Sequence, residues 1–173
     1  MRGFRFPALV SAILVAAVLP ACASLQSLAR IVQPPTFSAA NNEQNELRLV
    51  GPTASSPLGG ARVRIWTTVR NPNPFGLTLS SLDTTLFLEG QQAAAGEFPL
   101  GLPLEAGGES TIPIDLLVRF QDVPALANVI RQRQQRDVIG YRVEGSVGVE
   151  AGGLGTPTFG PMTLVTGDLR SPF

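Results

Sequence analysis

The chain has 173 residues, thirteen basic against thirteen acidic, one Cys, no His and no Lys, every basic residue being Arg. These absences exclude an imidazole base or ligand, a Walker-A or Schiff-base lysine, an internal disulfide and a thiolate metal cage, so no catalytic set, cofactor or metal is expected. Zero formal net charge argues against a nucleic-acid binder, whose affinity needs a basic surface.

Arg2 and Arg5 precede an apolar run, Ala8 to Leu19, that ends at Pro20-Ala21-Cys22. As a helix the run would extend about 18 Å, short of a bilayer core of about 30 Å. A positive flank, a short apolar core and small residues at the exit describe an export signal over residues 1–21. Leu19-Pro20-Ala21-Cys22 resembles the bacterial lipobox, in which the cysteine becomes a diacylglyceryl thioether and the new amino terminus. Cys22 is therefore the expected lipidation site, tying the chain to a membrane. More than one acyl chain makes such an anchor stable. Plain secretion, with Ala21-Cys22-Ala23 as the cleavage site, is the alternative. Ala23 where Asp would retain the protein at the inner membrane implies the cell envelope, at an outer membrane facing the periplasm if the cell has two. Cleavage removes Arg2 and Arg5 and leaves a slightly acidic mature chain.

Residues 22–45 are polar and bear prolines, and read as a tether and lead-in; a domain is expected over 46–170. Within it the apolar pattern has period two, the strand signature. Leu47 and Leu49 mark a short strand, and Gly51 to Gly60 a loop. Val63, Ile65, Thr67 and Val69 line one face of the next strand. Arg62, Arg64 and Trp66 lie opposite, where cation–π stacking is open to them. Leu77 and Leu79 begin another element whose parity switches at Ser80-Ser81 before resuming at Leu82, Thr84, Leu86 and Leu88, which predicts a bulge or a change of sheet. Glu89-Gly90-Gln91 is a hairpin turn. Ile112, Ile114, Leu116, Val118 and Phe120 share a strand face, and Pro113 places that strand at an edge or turns its nitrogen from a neighbour.

Asp122 as N-cap and Pro124 in the first turn predict a helix to about Arg136. Arg131, Arg133 and Arg136 make its polar face, solvated by default and a candidate contact for phosphate or lipid headgroups. Tyr141, Val143, Gly145, Val147 and Val149 alternate again, Gly152 to Gly155 reads as a hairpin loop, and a last strand covers Thr158 to Asp168. The fold class is all-β with one helix: a two-layer antiparallel β-sandwich, fibronectin-III/immunoglobulin-like.

Asn71-Pro72-Asn73-Pro74 is the most informative motif. Each Asn is restricted by the proline after it, and two missing N–H groups stop a ladder, so the strand must leave its sheet here. The Asn side chains can bond nearby backbone, and Gly76 allows an unusual φ before Leu77. Together Asn71, Pro72, Asn73, Pro74 and Gly76 form a stiff structural corner.

Val63-Arg64-Ile65-Trp66-Thr67-Thr68-Val69, Asn71-Pro72-Asn73, Leu77-Thr78-Leu79, Leu86-Phe87-Leu88-Glu89-Gly90 and Tyr141-Arg142-Val143-Glu144-Gly145 stand in the order of the late embryogenesis abundant type 2 family. Its domain is also known as the water stress and hypersensitive response (WHy) domain. The resemblance spans about Pro34 to Asp168. It implies a β-sandwich with a single helix, no catalysis, and a role in desiccation, cold and stress tolerance by shielding client proteins or lipid surfaces. Two other roles remain open: a carrier holding an acyl chain between its sheets, and an assembly module using an exposed strand edge. Client and oligomeric state are not set by these residues.

Overall fold

Alternation of apolar and polar side chains becomes eight strands in the computed structural model, which describes residues 32–124 and 138–170. They are β1 (Thr36–Ala39), β2 (Glu46–Val50), β3 (Gly60–Arg70), β4 (Leu77–Leu88), β5 (Gln91–Leu104), β6 (Glu109–Arg119), β7 (Val138–Glu150) and β8 (Thr158–Arg170). Of the two units into which the chain divides, Met1–Val32 and Gln33–Phe173, the second carries all of these strands.

Two four-stranded antiparallel sheets result. In the first, β3 is central, with β1 and β2 end to end along one flank and β6 along the other. In the second the order is β5-β4-β7-β8. From Ala61 to Val69 of β3 and from Ile112 to Val118 of β6 every second residue is buried, and Val63, Ile65, Val69, Ile114 and Val118 of the first sheet join Leu79, Leu82, Leu86, Val143 and Val147 of the second in one buried cluster. Burying each such side chain contributes about 1.5–3 kcal/mol, making this interior the main source of stability.

The expected parity switch in β4 is a bulge. The register shifts between Leu79 and Ser81 against both β5 and β7, and β4 stays in its sheet. Glu89 and Gly90 both have positive φ, 49° and 80°, and they join Leu88 to Gln91 in a two-residue turn whose twist suits a hairpin. Pro113 lies on an edge strand, as its missing N–H requires. Opposite it, Trp66 donates its N–H to Asn45 Oδ1 (2.8 Å), and its carbonyl accepts the N–H of Ala40 (3.1 Å). Both backbone groups of Trp66 thus point away from β6. Trp66 and Pro113 exchange no hydrogen bond, and the proline nitrogen faces the free edge of β6, which blunts that edge against strand addition.

Three expectations change, and a fourth goes untested. Residues 22–45 are not wholly a tether, since Thr36–Ala39 pairs with Arg70–Thr67. Leu49 shares the inward parity of Leu47 but remains half exposed, because β2 ends one residue later at Val50. Trp66 takes part in no cation–π pair among the described residues. Arg64 turns instead to Asp115, and the stacked cation is Arg142, 4.6 Å from the Phe87 ring centre. Of the helix expected to reach Arg136, residues 125–137 lie outside the described residues.

Thr67 is fully buried, and its hydroxyl has no hydrogen-bond partner. Thr67→Val keeps the branched shape and removes an unsatisfied polar atom. It should raise stability by about 1 kcal/mol, seen as a higher urea midpoint at unchanged slope; a lower midpoint would show that the hydroxyl is needed.

Candidate functional site

The chain crosses between sheets at Asn71–Gly76, from β3 to β4, and crosses back at Glu105–Gly108, from β5 to β6. The asparagines of the corner lock these two crossings together. Asn71 Nδ2 donates to the carbonyls of Phe75 (2.8 Å) and Glu105 (2.9 Å), with Leu104 at 3.4 Å. Its Oδ1 accepts from the Asn73 backbone N–H (3.0 Å) and from Asn73 Nδ2 (2.9 Å). Backbone bonds complete the seam: Asn71 N–H donates to Gly108 and Gly107 N–H donates to Asn73.

Asn73 also holds the start of the domain. Its Oδ1 accepts the Gln33 N–H at 2.8 Å, and its Nδ2 donates to the Gln33 carbonyl at 2.9 Å. An amide offering one donor and one acceptor to a backbone copies a strand neighbour, so Gln33 is fixed before β1 begins. Both asparagines are buried, at 0% and 1% exposure. Every side-chain N–H of the pair is spent within the fold and both side-chain oxygens accept, which leaves no side-chain donor for a ligand. The geometry is that of a structural clamp, with Pro72 and Pro74 limiting the conformations lost on folding. Gly76 departs from expectation: its φ is not positive, and an added Cβ would meet only the Leu104 carbonyl oxygen, at 3.5 Å.

A second polar bridge carries no sequence signature. Between β1 and β2 the flank of β3 lacks a partner at Trp66, and Asn45 supplies one through Oδ1. Its Nδ2 donates to the Tyr141 hydroxyl at 2.9 Å, so one side chain joins the two sheets. Burial pushes the Tyr141 phenol above its ordinary range. The hydrogen bond from Asn45 opposes this and the charge of Asp168 reinforces it. A raised phenol favours the neutral folded form. Its contribution to stability is full below about pH 10 and is lost as pH rises through the raised value. Tyr141→Phe should therefore flatten the alkaline loss of stability and cost about 1 kcal/mol at pH 7. Urea midpoints across this pH range would show both effects; parallel curves for parent and variant would refute the first, and equal midpoints at pH 7 the second.

Cys22, Arg131, Arg133 and Arg136 lie outside the described residues. The described residues hold no cluster of three or more potential metal ligands, and none of their helices is long and apolar enough to cross a membrane.

Comparison with known proteins places this architecture. The sequence matches the family model described as late embryogenesis abundant protein over residues 67–163, a span that includes the corner and Tyr141. Among solved structures, a protein of Arabidopsis thaliana determined in solution shares 18% identity at a TM-score of 0.57, with 82% of this chain and 85% of that one covered. A second solution structure, of a protein described as late embryogenesis abundant, shares 16% identity at a TM-score of 0.50, with 85% and 76% covered. At such identities the likeness is one of fold. No comparable match is found among the curated proteins.

Proposed function

Since this chain belongs to the late embryogenesis abundant protein family, whose type 2 model spans more than half of it, we propose that it is a non-enzymatic stress protein held at a cell-envelope membrane through Cys22. In this reading it shields proteins or lipid surfaces as water is withdrawn. The observation that carries the reading is where the polar groups lie. The corner asparagines are satisfied internally, while ions and hydroxyls line the outer face of the first sheet. A domain built this way keeps its core when water becomes scarce and offers neighbouring molecules hydrogen-bonding surface in place of the lost solvent. The tether keeps that surface beside the membrane and spaces partly unfolded clients apart.

The rival roles find less support in the same geometry. An acyl chain held between the sheets would have to displace Ile65, Leu79, Leu82, Leu86 and Ile114, all at 1% exposure or less. Strand addition at β6 meets the outward nitrogen of Pro113.

Drying or freeze–thawing a labile enzyme beside the purified protein tests the shielding. Recovery well above that with an equal mass of albumin is expected, and recovery no better would overturn it. A strain lacking the gene should survive drying less well than the intact strain, with Cys22→Ala falling between. An unmodified residue other than Cys22 at the mature amino terminus would remove the anchor.

A further inference from the structure

Strand register arranges the outer face of the first sheet into rows. Arg62 of β3 stands between Arg48 of β2 and Leu117 of β6. The next row is Glu46, Arg64 and Asp115. Two of these arginines have carboxylate partners. Arg64 forms a fork with Asp115, Nε to Oδ1 at 2.7 Å and Nη2 to Oδ2 at 2.9 Å. Arg48 reaches Glu46 at 2.7 Å from a side chain 74% exposed. Arg62 has neither an ion pair nor a hydrogen bond among the described residues, and it faces another arginine directly across the strand pair. Like charges so placed destabilise a sheet. Arg48, Arg62, Arg64 and Glu46 enclose a hollow of about 90 Å³, room for about three waters or one tetrahedral oxyanion.

We propose that this hollow binds a phosphate-type oxyanion, with Arg62 as its principal ligand and Arg48 and Arg64 at its sides. A guanidinium matches phosphate oxygens with two parallel N–H donors. Among the described residues Arg62 has its full set of donors unspent. Arg64 is held in place by Asp115 through Nε and Nη2, and among the described residues its Nη1 has no hydrogen bond. Arg48 can leave Glu46 at small cost, because exposed ion pairs contribute about 0–1 kcal/mol. Three arginines against Glu46 of the lining and the Asp115 carboxylate beside Arg64 and Arg62 still leave the site net positive. A bound anion would relieve the repulsion between Arg48 and Arg62 across the strand pair. The shared chemistry is a phosphate, free or on a lipid headgroup, and the site stands whether or not Cys22 is lipidated.

Trp66, the only tryptophan of the chain, lies on the same strand face one step beyond Arg64 and serves as a fluorescent reporter. The full chain in nonionic micelles would be titrated with inorganic phosphate at constant ionic strength, chloride making up the balance. In a second arm the micelles would carry short-chain phosphatidylglycerol or phosphatidylcholine. Saturable binding is expected, weakened about tenfold or more by Arg62→Gln, as for loss of one charge-assisted partner. Arg70→Gln, on the same face but opposite Glu109, should bind as the parent does. Response to inorganic phosphate identifies a soluble ligand, and response to phosphatidylglycerol alone identifies a lipid. No response in either arm, a response that does not saturate, or equal weakening by both substitutions would overturn the site. Without any anion, Arg62→Gln should unfold at the same or higher urea than the parent. A clear loss of stability would mean that Arg62 supports the sheet, and would overturn the assignment as well.

Discussion

Asn71→Ala should cost the domain about 4 kcal/mol, and Asn71→Asp still more. The alanine variant leaves the Phe75 and Glu105 carbonyls without their donor, and the Asn73 amide without its acceptor. Each net hydrogen bond is worth about 1 kcal/mol, and each buried group left unsatisfied costs about 1–3 kcal/mol, so the losses reach this size even with partial relaxation. Aspartate keeps the shape and the acceptor but replaces the amide donor with an oxygen aimed at carbonyl oxygens, and adds a buried charge. Ordinary domains are stable by about 5–15 kcal/mol, so the aspartate variant is expected to be largely unfolded. Urea unfolding followed by Trp66 fluorescence would rank the three proteins. Equal midpoints for Asn71→Ala and the parent would mean that the two crossings hold together without the clamp.

Gly145→Ala is the second large effect expected. Gly145 lies in β7, flanked by β4 and β8, opposite Thr84 on one side and Met162 on the other. A Cβ there would run into the backbone carbonyl of Asp83, with Leu164 Cδ1 at 3.1 Å. A carbonyl inside a central ladder cannot swing aside as a side chain can. The strands would have to part, at about 3 kcal/mol or more. Gly148 makes the contrast, since its added Cβ would meet the Ser81 and Ser80 hydroxyl oxygens at 2.6 and 2.9 Å, and those side chains can rotate. Gly153→Ala, in the turn between β7 and β8 with nothing within 4 Å, should change stability by less than about 0.5 kcal/mol. Denaturant midpoints should fall in the order Gly153→Ala, Gly148→Ala, Gly145→Ala. A Gly145→Ala protein as stable as the parent would show that β4 and β7 can separate at little cost.

What the linear chain reveals and what it hides follow from the range of each interaction. Val63-x-Ile65-x-Thr67-x-Val69 and Ile112-x-Ile114-x-Leu116-x-Val118 show their inner faces because each sheet has one side on the core and one on water, so burial repeats every second residue. The parity break at Ser80-Ser81 announced a bulge or a change of sheet for the same reason, and the pairing of β4 with β5 and β7 made it a bulge. Thr36–Ala39 escaped notice as a strand because four residues, three of them small or hydroxylated, are too few to establish a period. The half-exposed Leu49 carries the same lesson, since periodicity tells which face a residue takes but not where its own strand stops.

The sequence by itself determined the sandwich, the absence of His- and Lys-based chemistry, and the corner at Asn71-Pro72-Asn73-Pro74. All of these rest on composition, local backbone restriction and period-two burial, which act between near neighbours. Only the tertiary structure decided that Asn71 would bind Glu105, that Asn45 would join Trp66 to Tyr141, and that Arg48 would stand against Arg62. These partners lie between 14 and 96 residues apart. Strand register and sheet stacking bring them together, and both are set by the packing of the whole core rather than by any local segment.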